Sequence, residues 1–539
     1  MQRTTLIATI LTTLSTGASA QTAVNSAAAP ASTLRLTVDD AVRMALDHNV
    51  DLAAERLDPQ ISDARVAAAY GVFRPTFNTG LQRNNQLQPP ASSLIPTATR
   101  NDVTSSSVGF DQKLPWLGTS YSLSWTAAHT DSNSFLNSYD PVLESGLSLK
   151  FSQPLFRDRA IDRPRQEVAA SRIDRDIADT RLREAVVHTT ANVKRAYWNL
   201  VTAIANVDAR QVALDLAQEL VRVNKAKVDV GQSPPLDLVA AQAEVAADQE
   251  ELIIAETRVK QGEDRLRALI FDTSDRNVWS VKIMPADPPL LGLASPDLEA
   301  AVTNALGQRT DLGRARKDIE NAGVNVKFTN NQRLPDVRVN ASYLASGLGG
   351  TQVLRTGGFP GTIVGSGAST DFASVLNQLF AGQYSTWAVG VSVSYPIGQA
   401  TEEANHARAK LEHSQSQERL KSAESRAVQQ VRDAWWKIDM NAKRIETARA
   451  ARELAEQRLD SERKRLDVGI STSFLVIQAQ RDLAQARTNE LTATLAYNLA
   501  LVDFDALQQA GPDASPLTSG GGTDADTAPP PQTSRPAGG

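Results

Sequence analysis

Residue types that commonly carry out chemistry are few and widely separated in this chain of 539 residues. No two of its five histidines have the spacing of three or four residues at which one helix presents two ligands to the same metal ion. The two nearest, His406 and His413, are two helical turns apart, and we expect both on solvated helix surfaces. Cysteine is absent, which excludes disulfides and thiolate ligands. The sequence therefore predicts no metal site.

A glycine-rich stretch at 346–383 comes closest to a cofactor motif. It contains Gly357-Gly358 and Gly365-Ser366-Gly367, but not the strand–turn–helix frame and lysine of a phosphate-binding loop. The sequence also lacks a zinc-protease motif and a nucleophile elbow. A net charge of −5, without a basic stripe among aromatics, argues against nucleic-acid binding. We therefore expect no enzyme activity, no cofactor and no nucleic-acid partner.

Both ends of the chain have the composition of segments outside a folded core. An early arginine, a short apolar run and the small residues Ala18-Ser19-Ala20 predict a secretory signal peptide over residues 1–20. Residues 21–35 are expected to be mobile, and the Gly- and Pro-rich residues 511–539 to be disordered. No later stretch has 18 consecutive apolar residues, so we expect no transmembrane helix.

A strict seven-residue repeat extends from about Asp162 to Asp229. The repeat keeps one seam of a helix facing a partner helix and imposes a left-handed supercoil. Since no proline follows Pro164 within it, the helix should be continuous and on the order of 100 Å long. It ends at Gly231, and a second helix with the same repeat returns antiparallel to it. The repeated residues are Val186, Val193, Leu200, Val207, Leu214, Val221 and Val228, then Leu238, Val245, Leu252, Val259 and Leu266.

This helical hairpin occurs twice. At an offset of 238 residues, Ala196–Leu200 matches Ala434–Ile438, and the turn Asp229-Val230-Gly231 matches Asp467-Val468-Gly469. A constant offset across more than seventy residues indicates an internal duplication. Each repeat is predicted to contain a helix, a strand region and a long hairpin. The boundaries are 36–270 for repeat 1 (strands 75–153, hairpin 162–270), 271–295 for a linker, and 296–510 for repeat 2 (strands 335–395, hairpin 400–510).

Apolar and small or polar residues alternate in both strand regions, as in Trp387–Tyr395. Two structures fit this pattern equally. One is a membrane barrel with aromatic side chains at its interfaces, and the other is a soluble sheet whose apolar face packs on the helices. Loops are expected in the polar stretches 82–103, 129–144 and 346–383.

The two hairpin turns place apolar residues beside a glycine. These tip residues are Val230, Gly231 and Gln232 in repeat 1, and Val468, Gly469 and Ile470 in repeat 2. A helix stop explains each glycine. It does not explain exposed valine and isoleucine at the end of a long projection, which favours a docking surface.

Taken in order, these features resemble the outer-membrane efflux protein family, the TolC-like exit ducts. The resemblance covers about 36–509 and rests on a doubled plan of helix, strands, long helix, Gly turn and return helix. The turns at Gly231 and Gly469 look like the family's periplasmic tips, and Gln153-Pro154-Leu155 looks like its strand-to-helix phrase. Each motif is weak alone, but the ordered set repeated twice is specific.

The resemblance implies an α+β membrane protein and a homotrimer. About four strands per chain would complete a twelve-stranded barrel in outer-membrane lipid, continuous with a coiled-coil α-helical barrel in the periplasm. So few strands cannot close a barrel alone, so copies must share them. The alternating stretches slightly exceed four, and Val108–Ala128 is interpreted as an extra extracellular hairpin or an extended strand pair.

As an exit duct, the chain would be the passive outer-membrane conduit of a tripartite efflux or type I secretion system. Its partners would be an inner-membrane transporter and a periplasmic adaptor that docks at the tips. The alternative is a periplasmic or surface coiled-coil scaffold without channel activity.

The sequence departs from the family's pattern at the pore constriction. The best-known members have acidic residues six and nine positions after the second tip glycine, where this chain has Leu475 and Gln478. Only repeat 1 keeps an acid, Asp237. We therefore predict an apolar and amide-lined constriction, closed by packing around Leu475.

Overall fold

The computed structural model describes residues 33–90, 98–134, 137–272, 274, 276–289, 296–358, 361–395, 397–398 and 400–512. The predicted signal peptide, most of the N-terminal segment predicted to be mobile, and nearly all of the predicted tail lie outside these residues. Residues 33–35 are an exception, because they belong to strand β1 (Thr33–Leu36). This strand pairs in parallel with β6 (Lys282–Pro285), so the expectation of mobility is wrong there.

Four long helices dominate the molecule: α4 (Arg163–Asp229), α5 (Pro235–Ile270), α9 (Ala400–Asp467) and α10 (Ser473–Leu507). The helices α4 and α9 contain 67 and 68 residues, so each is about 100 Å long. Asp162 caps α4, because its carboxylate accepts the Arg165 backbone N–H at 3.1 Å. No helix in the described part of the chain is long and apolar enough to cross a membrane.

The helices pack along narrow seams of apolar and small residues. On α4, the repeat residues Val193, Leu200 and Leu214 are buried, and alanines such as Ala191 and Ala196 are buried beside them. Buried clusters hold the packing together near the strand-proximal half of each hairpin and again near the tips. Since this burial recurs along the whole length, the long helices are supported by partners rather than by propensity alone.

Shorter helices connect the hairpins to the sheet. In repeat 1 these are α1 (Val38–His48), α2 (Val50–Glu55) and α3 (Asp58–Tyr70). In repeat 2 they are α6 (Leu298–Gln308) and α7 (Thr310–Gln332). Both α3 and α7 pack against α4, and α7 also packs against α9. They bring the start of each strand region to the same end of the long helices.

The sheet contains seven described antiparallel strands, so the expectation of about four strands per chain is wrong. Their bounds are β2 (Thr76–Gln88), β3 (Thr99–Lys113), β4 (Ser120–Ser132), β5 (Tyr139–Pro154), β7 (Asp336–Thr356), β8 (Thr362–Thr370) and β9 (Tyr384–Ser394). They also occupy much of the stretches expected to be loops. Backbone hydrogen bonds form the ladder whatever the side chains are, so Ser-, Asn- and Gly-rich segments can extend apolar strands.

The strands occupy six positions across the sheet. The order is β2, β3, β4, β5 and β7, and β5 pairs with one edge of β7 along most of its length. The other edge of β7 pairs first with β9 and then, farther from the helices, with β8. The segment interpreted as an extra hairpin or strand pair supplies parts of β3 and β4, which pair with each other and with the strands beside them.

A short helix, α8 (Phe372–Phe380), packs on the far end of β7. A Cβ atom at Gly347 or Gly349 would lie 2.4 Å from Val375, so only glycine allows this approach. Val375 and Leu379 form the buried face of α8. Close packing against α8 therefore accounts for two of the glycines in the glycine-rich stretch 346–383.

Candidate channel wall and helical tips

One face of the sheet is apolar across its full width. Cross-strand pairing places six residues in one row, one from each strand position, and all six side chains are exposed in the single chain. The row is Phe77, Phe110, Leu123, Leu149, Tyr343 and Trp387. Phe77 and Phe110 are in ring contact, with centroids 5.0 Å apart. On β9, three valines continue this face towards the helices.

The opposite face is polar and small. The neighbouring row contains Thr76, Asp111, Ser122, Lys150, Ser342 and Ala388, again one residue from each position. All six residues line a cleft of about 750 Å³. Because consecutive residues alternate between the faces, Ser148 and Leu149 on β5 belong to opposite faces. The alternation predicted from the sequence is therefore present, and it divides the sheet into two chemically different surfaces.

An ion pair between an exposed guanidinium and a buried carboxylate ends the apolar face far from the helices. Arg83 donates to Asp102 through two nitrogens, at 3.0 and 2.7 Å. Arg83 lies six residues beyond Phe77 on the same face of β2, or about 20 Å along the strand. On β2, the apolar face therefore ends about 20 Å along the strand beyond the aromatic row.

The predicted tip residues form two matching helix-ending turns. Gly231 and Gly469 have φ of +75° and +79°, a conformation that favours glycine. The Gln232 N–H donates to the Lys227 carbonyl at 2.7 Å, and the Ile470 N–H donates to the Arg465 carbonyl at 2.9 Å. Both are the six-residue bonds of a Schellman motif. The helix stop inferred from the glycines is therefore explained by backbone geometry.

The tips also carry more apolar surface than the turns alone predict. Val230, Val468 and Ile470 are 68, 71 and 76 % exposed. Leu236 and Phe474, at matching positions in the first turns of α5 and α10, are 74 and 70 % exposed. Sequence reasoning missed these two, although the offset of 238 residues relates them. The structure thus presents an apolar patch on each tip.

The three predicted constriction residues lie just beyond the turns. Asp237 and Leu475 occupy equivalent positions in the first turns of α5 and α10. Leu475 is 42 % exposed, while the side-chain amide of Gln478 donates to Asp482 within α10 at 3.0 Å. These residues lie near the hairpin tips of a single chain, and a ring of them around a pore requires further copies of the chain.

A hydrogen-bonded connection joins the two hairpins beside these residues. Asn224 on α4 is fully buried, and its Oδ1 accepts from the Ser473 hydroxyl on α10 at 2.9 Å. Its Nδ2 donates to the Asp237 carbonyl at 3.2 Å. Nearby, the Lys227 ammonium donates to the Leu466 carbonyl at 3.1 Å. No spacing in the sequence pointed to this set, because its members come from different repeats.

A charge pair between a buried carboxylate and an exposed guanidinium lies farther from the tips. Glu244 on α5 is buried and accepts from the Arg481 guanidinium on α10, with Nε contacts at 2.9 and 3.0 Å. Burial, together with the neighbouring Glu244 carboxylate, raises the pKa of Asp248. The pair is a second polar connection between the repeats.

The expectation that both His406 and His413 lie on solvated helix surfaces is wrong for His406. His406 is buried rather than solvated, with Nδ1 3.2 Å from the Thr329 hydroxyl, because α9 packs on α7. Burial lowers the pKa of His406. Across the described part of the chain, no group of three acidic or histidine side chains is arranged to hold a metal ion.

An amphipathic antiparallel sheet mounted on two long, duplicated helical hairpins defines the class of outer-membrane efflux channels. A family model described as outer membrane efflux protein matches residues 97–270 and 301–508. The chain therefore belongs to the outer membrane efflux protein family. Members of this family are conduits for efflux across the outer membrane.

Solved channels share the fold at low sequence identity. The CmeC outer membrane channel of Campylobacter jejuni is 16% identical with a TM-score of 0.58, and the match covers 88% of this chain and 85% of CmeC. VceC of Vibrio cholerae is 17% identical with a TM-score of 0.60, covering 87% and 96%. CusC, described in terms of transmembrane channel formation, is 16% identical with a TM-score of 0.63, covering 89% and 93%. No curated protein matches the chain.

Proposed function

We propose that this protein is the passive outer-membrane exit duct of a tripartite efflux or type I secretion system. The observation that carries the proposal is the exposed apolar row that crosses all six strand positions, with polar rows on the other face. Such a sheet fits a wall between lipid and water. A soluble scaffold would cover an apolar face of this size.

The proposed duct is a homotrimer that shares its strands. The edge strands nearest the helices, β2 and β9, are exposed along their whole length, and a sheet with open edges is not stable in lipid. Joining copies edge to edge removes the open edges. The number three comes from the family resemblance. Twelve long helices would then form a tunnel of about 100 Å through the periplasm.

The apolar tips are the proposed docking surface for a periplasmic adaptor, which would connect the duct to an inner-membrane transporter. Support comes from the exposure of Val230, Val468 and Ile470 on turns where a simple helix stop needs only glycine. The constriction would lie beside them. With Leu475 exposed and Gln478 neutral, we propose an apolar and amide-lined gate, with Asp237 as its acidic residue from repeat 1.

The membrane assignment is tested with two neighbours on β5. Leu149→Asp places a carboxylate on the apolar face and should prevent stable insertion, since insertion scales put an aspartate at the bilayer centre at a cost of about 2.5–3.5 kcal/mol, here in every chain. Ser148→Asp places the same charge on the polar face and should leave the protein in the outer-membrane fraction. Equal recovery of both variants as membrane-inserted, heat-modifiable oligomers would contradict the proposal, as would a water-soluble wild-type protein.

The docking assignment is tested at the tips. Val468→Asp with Ile470→Asp should abolish efflux while oligomers remain in the membrane, because adaptor binding would bury these side chains. Val468→Leu with Ile470→Val keeps the surface apolar and should retain efflux. Normal efflux by the charged variant would refute tip docking without affecting the membrane assignment.

A further inference from the structure

We infer that β2 of one copy pairs with β9 of the next copy, so that each chain contributes six strands to the membrane wall. This inference rests on the proposed shared barrel and specifies its interface. The partner is a second copy of this chain. In a trimer the wall would contain eighteen strands rather than the twelve that four strands per chain would supply.

The first support is that the hairpin of β2 and β3 lies level with the other strands. Phe77 and Phe110 continue the apolar row that contains Leu149 and Trp387. The polar row likewise continues to Thr76 on β2. A hairpin that extended only above the membrane would not share both rows with the central strands.

Strand direction gives the second support. Adjacent strands are antiparallel across all six positions, so β2 runs away from the long helices and β9 runs towards them. The two free edges are therefore antiparallel when copies stand side by side. An even number of strands per copy is required for this match, and six satisfies it.

The stagger of the strands predicts the register at this interface. In the polar row, Thr76 is level with Ala388, but β9 continues six residues farther, to Ser394. If the helix-proximal ends of neighbouring copies align, Ser394 lies opposite Thr76 of the next copy. A shift of six residues over six strands, about 20 Å over about 29 Å, tilts the strands by about 35°. This tilt falls within the range of outer-membrane barrels.

The same register places polar residues of β2 opposite polar residues of β9, and apolar residues opposite apolar residues. Asn78 would lie opposite Ser392 on the polar face, and Phe77 opposite Val393 on the apolar face. In the single chain all of these side chains are exposed. Because barrel diameter grows roughly in proportion to strand number, eighteen strands would make the wall about half as wide again as twelve. The interface therefore affects the size of cargo that the membrane section admits.

Disulfide cross-linking in outer membranes tests the inference, since the chain has no cysteine of its own. Asn78→Cys is combined in turn with Cys at Gly390, Ser392 or Ser394, oxidised, and run on a denaturing non-reducing gel. We expect covalent dimers and trimers, strongest with Ser392→Cys, because a disulfide needs Cα atoms within about 7 Å. The matched control, Ser122→Cys with Ser392→Cys, should remain monomeric because β3 separates β4 from the edge.

The opposite result would overturn the inference. If β2 and β3 stand outside the wall, β4 is the edge strand, and Ser122→Cys should link to Ser392→Cys while Asn78→Cys links to none of the three positions. The proposed duct would then stand with four strands per copy. Absence of links from both pairs also overturns the inference, and failure of the cysteine-free parent protein to reach the outer membrane as oligomers would overturn the proposed function itself.

Discussion

Replacing Asn224 by alanine should loosen the connection between the two hairpins at the tips. The wild-type side chain is fully buried, accepts from the Ser473 hydroxyl at 2.9 Å and donates to the Asp237 carbonyl at 3.2 Å. Asn224→Ala removes both hydrogen bonds. With the two hairpins in contact, as here, the Ser473 hydroxyl and the Asp237 carbonyl would then lack these partners, whereas water reaches both groups once the hairpins separate. We call the first arrangement the closed tip and the second the open tip.

The expected effect follows from these two bonds. A buried hydrogen bond contributes about 0.5–1.5 kcal/mol, and a partner left unsatisfied costs about 1–3 kcal/mol. We therefore expect Asn224→Ala to destabilise the closed tip by about 2 kcal/mol per chain. That free energy corresponds to a roughly 30-fold shift from closed to open tips.

Single-channel recording in planar bilayers measures this shift as increased open probability. Gln485→Ala is the matched control, because Gln485 is exposed on α10 and bonds only to Asn489 of the same helix. Ser473→Ala should act in the same direction, and the double variant should show a coupling of about 1 kcal/mol with Asn224→Ala. Unchanged gating in Asn224→Ala, or additive effects without coupling, would refute the role of this connection.

Three further predictions concern the core and the gate. Tyr197→Phe removes a fully buried hydroxyl that accepts the Asp287 N–H at 3.1 Å, and calorimetry should show a loss of about 2 kcal/mol. Burial raises the pKa of Tyr197 to about 12, so wild-type stability should decline between pH 10 and 12 more steeply than that of Tyr197→Phe. Arg309→Met should cost about 3 kcal/mol, because it leaves the Asp311 carboxylate without its buried guanidinium partner. Although burial acts to raise the pKa of Asp311, Arg309 holds it below 3.8, so the measured difference should shrink as acid protonates Asp311 below about pH 4. Leu475→Ala should widen the constriction, and unchanged single-channel conductance would contradict an apolar gate there.

Periodic and local features of the fold could be predicted from the sequence. A seven-residue repeat in α4 and the glycine turns at Gly231 and Gly469 follow from helix geometry and from the positive φ that ends a helix. The tip residues were found for the same reason. The number of strands could not be predicted in this way, because the segment Ser346–Gly350 is Ser- and Gly-rich around a single leucine, Leu348, and lacks a clear alternation of apolar and polar residues. It becomes a strand beside β5.

Long-range polar contacts were also beyond the sequence. Asn224 and Ser473 are separated by 249 residues, and Glu244 and Arg481 by 237. Each of these residues is of a type that is common on solvent-exposed helix surfaces. In the fold Asn224, Ser473 and Glu244 are buried, and a buried polar group requires a partner whereas an exposed one does not.

The amino-acid sequence by itself determined the duplication, the long hairpins, the turns and the amphipathic strands, because each depends on residues close together along the chain. Tertiary structure alone decided how many strands join the sheet, which rows extend across it, and which polar side chains connect the two repeats. These features depend on register between distant segments. Register is set when whole faces are buried or paired together, and no single stretch of sequence carries that information.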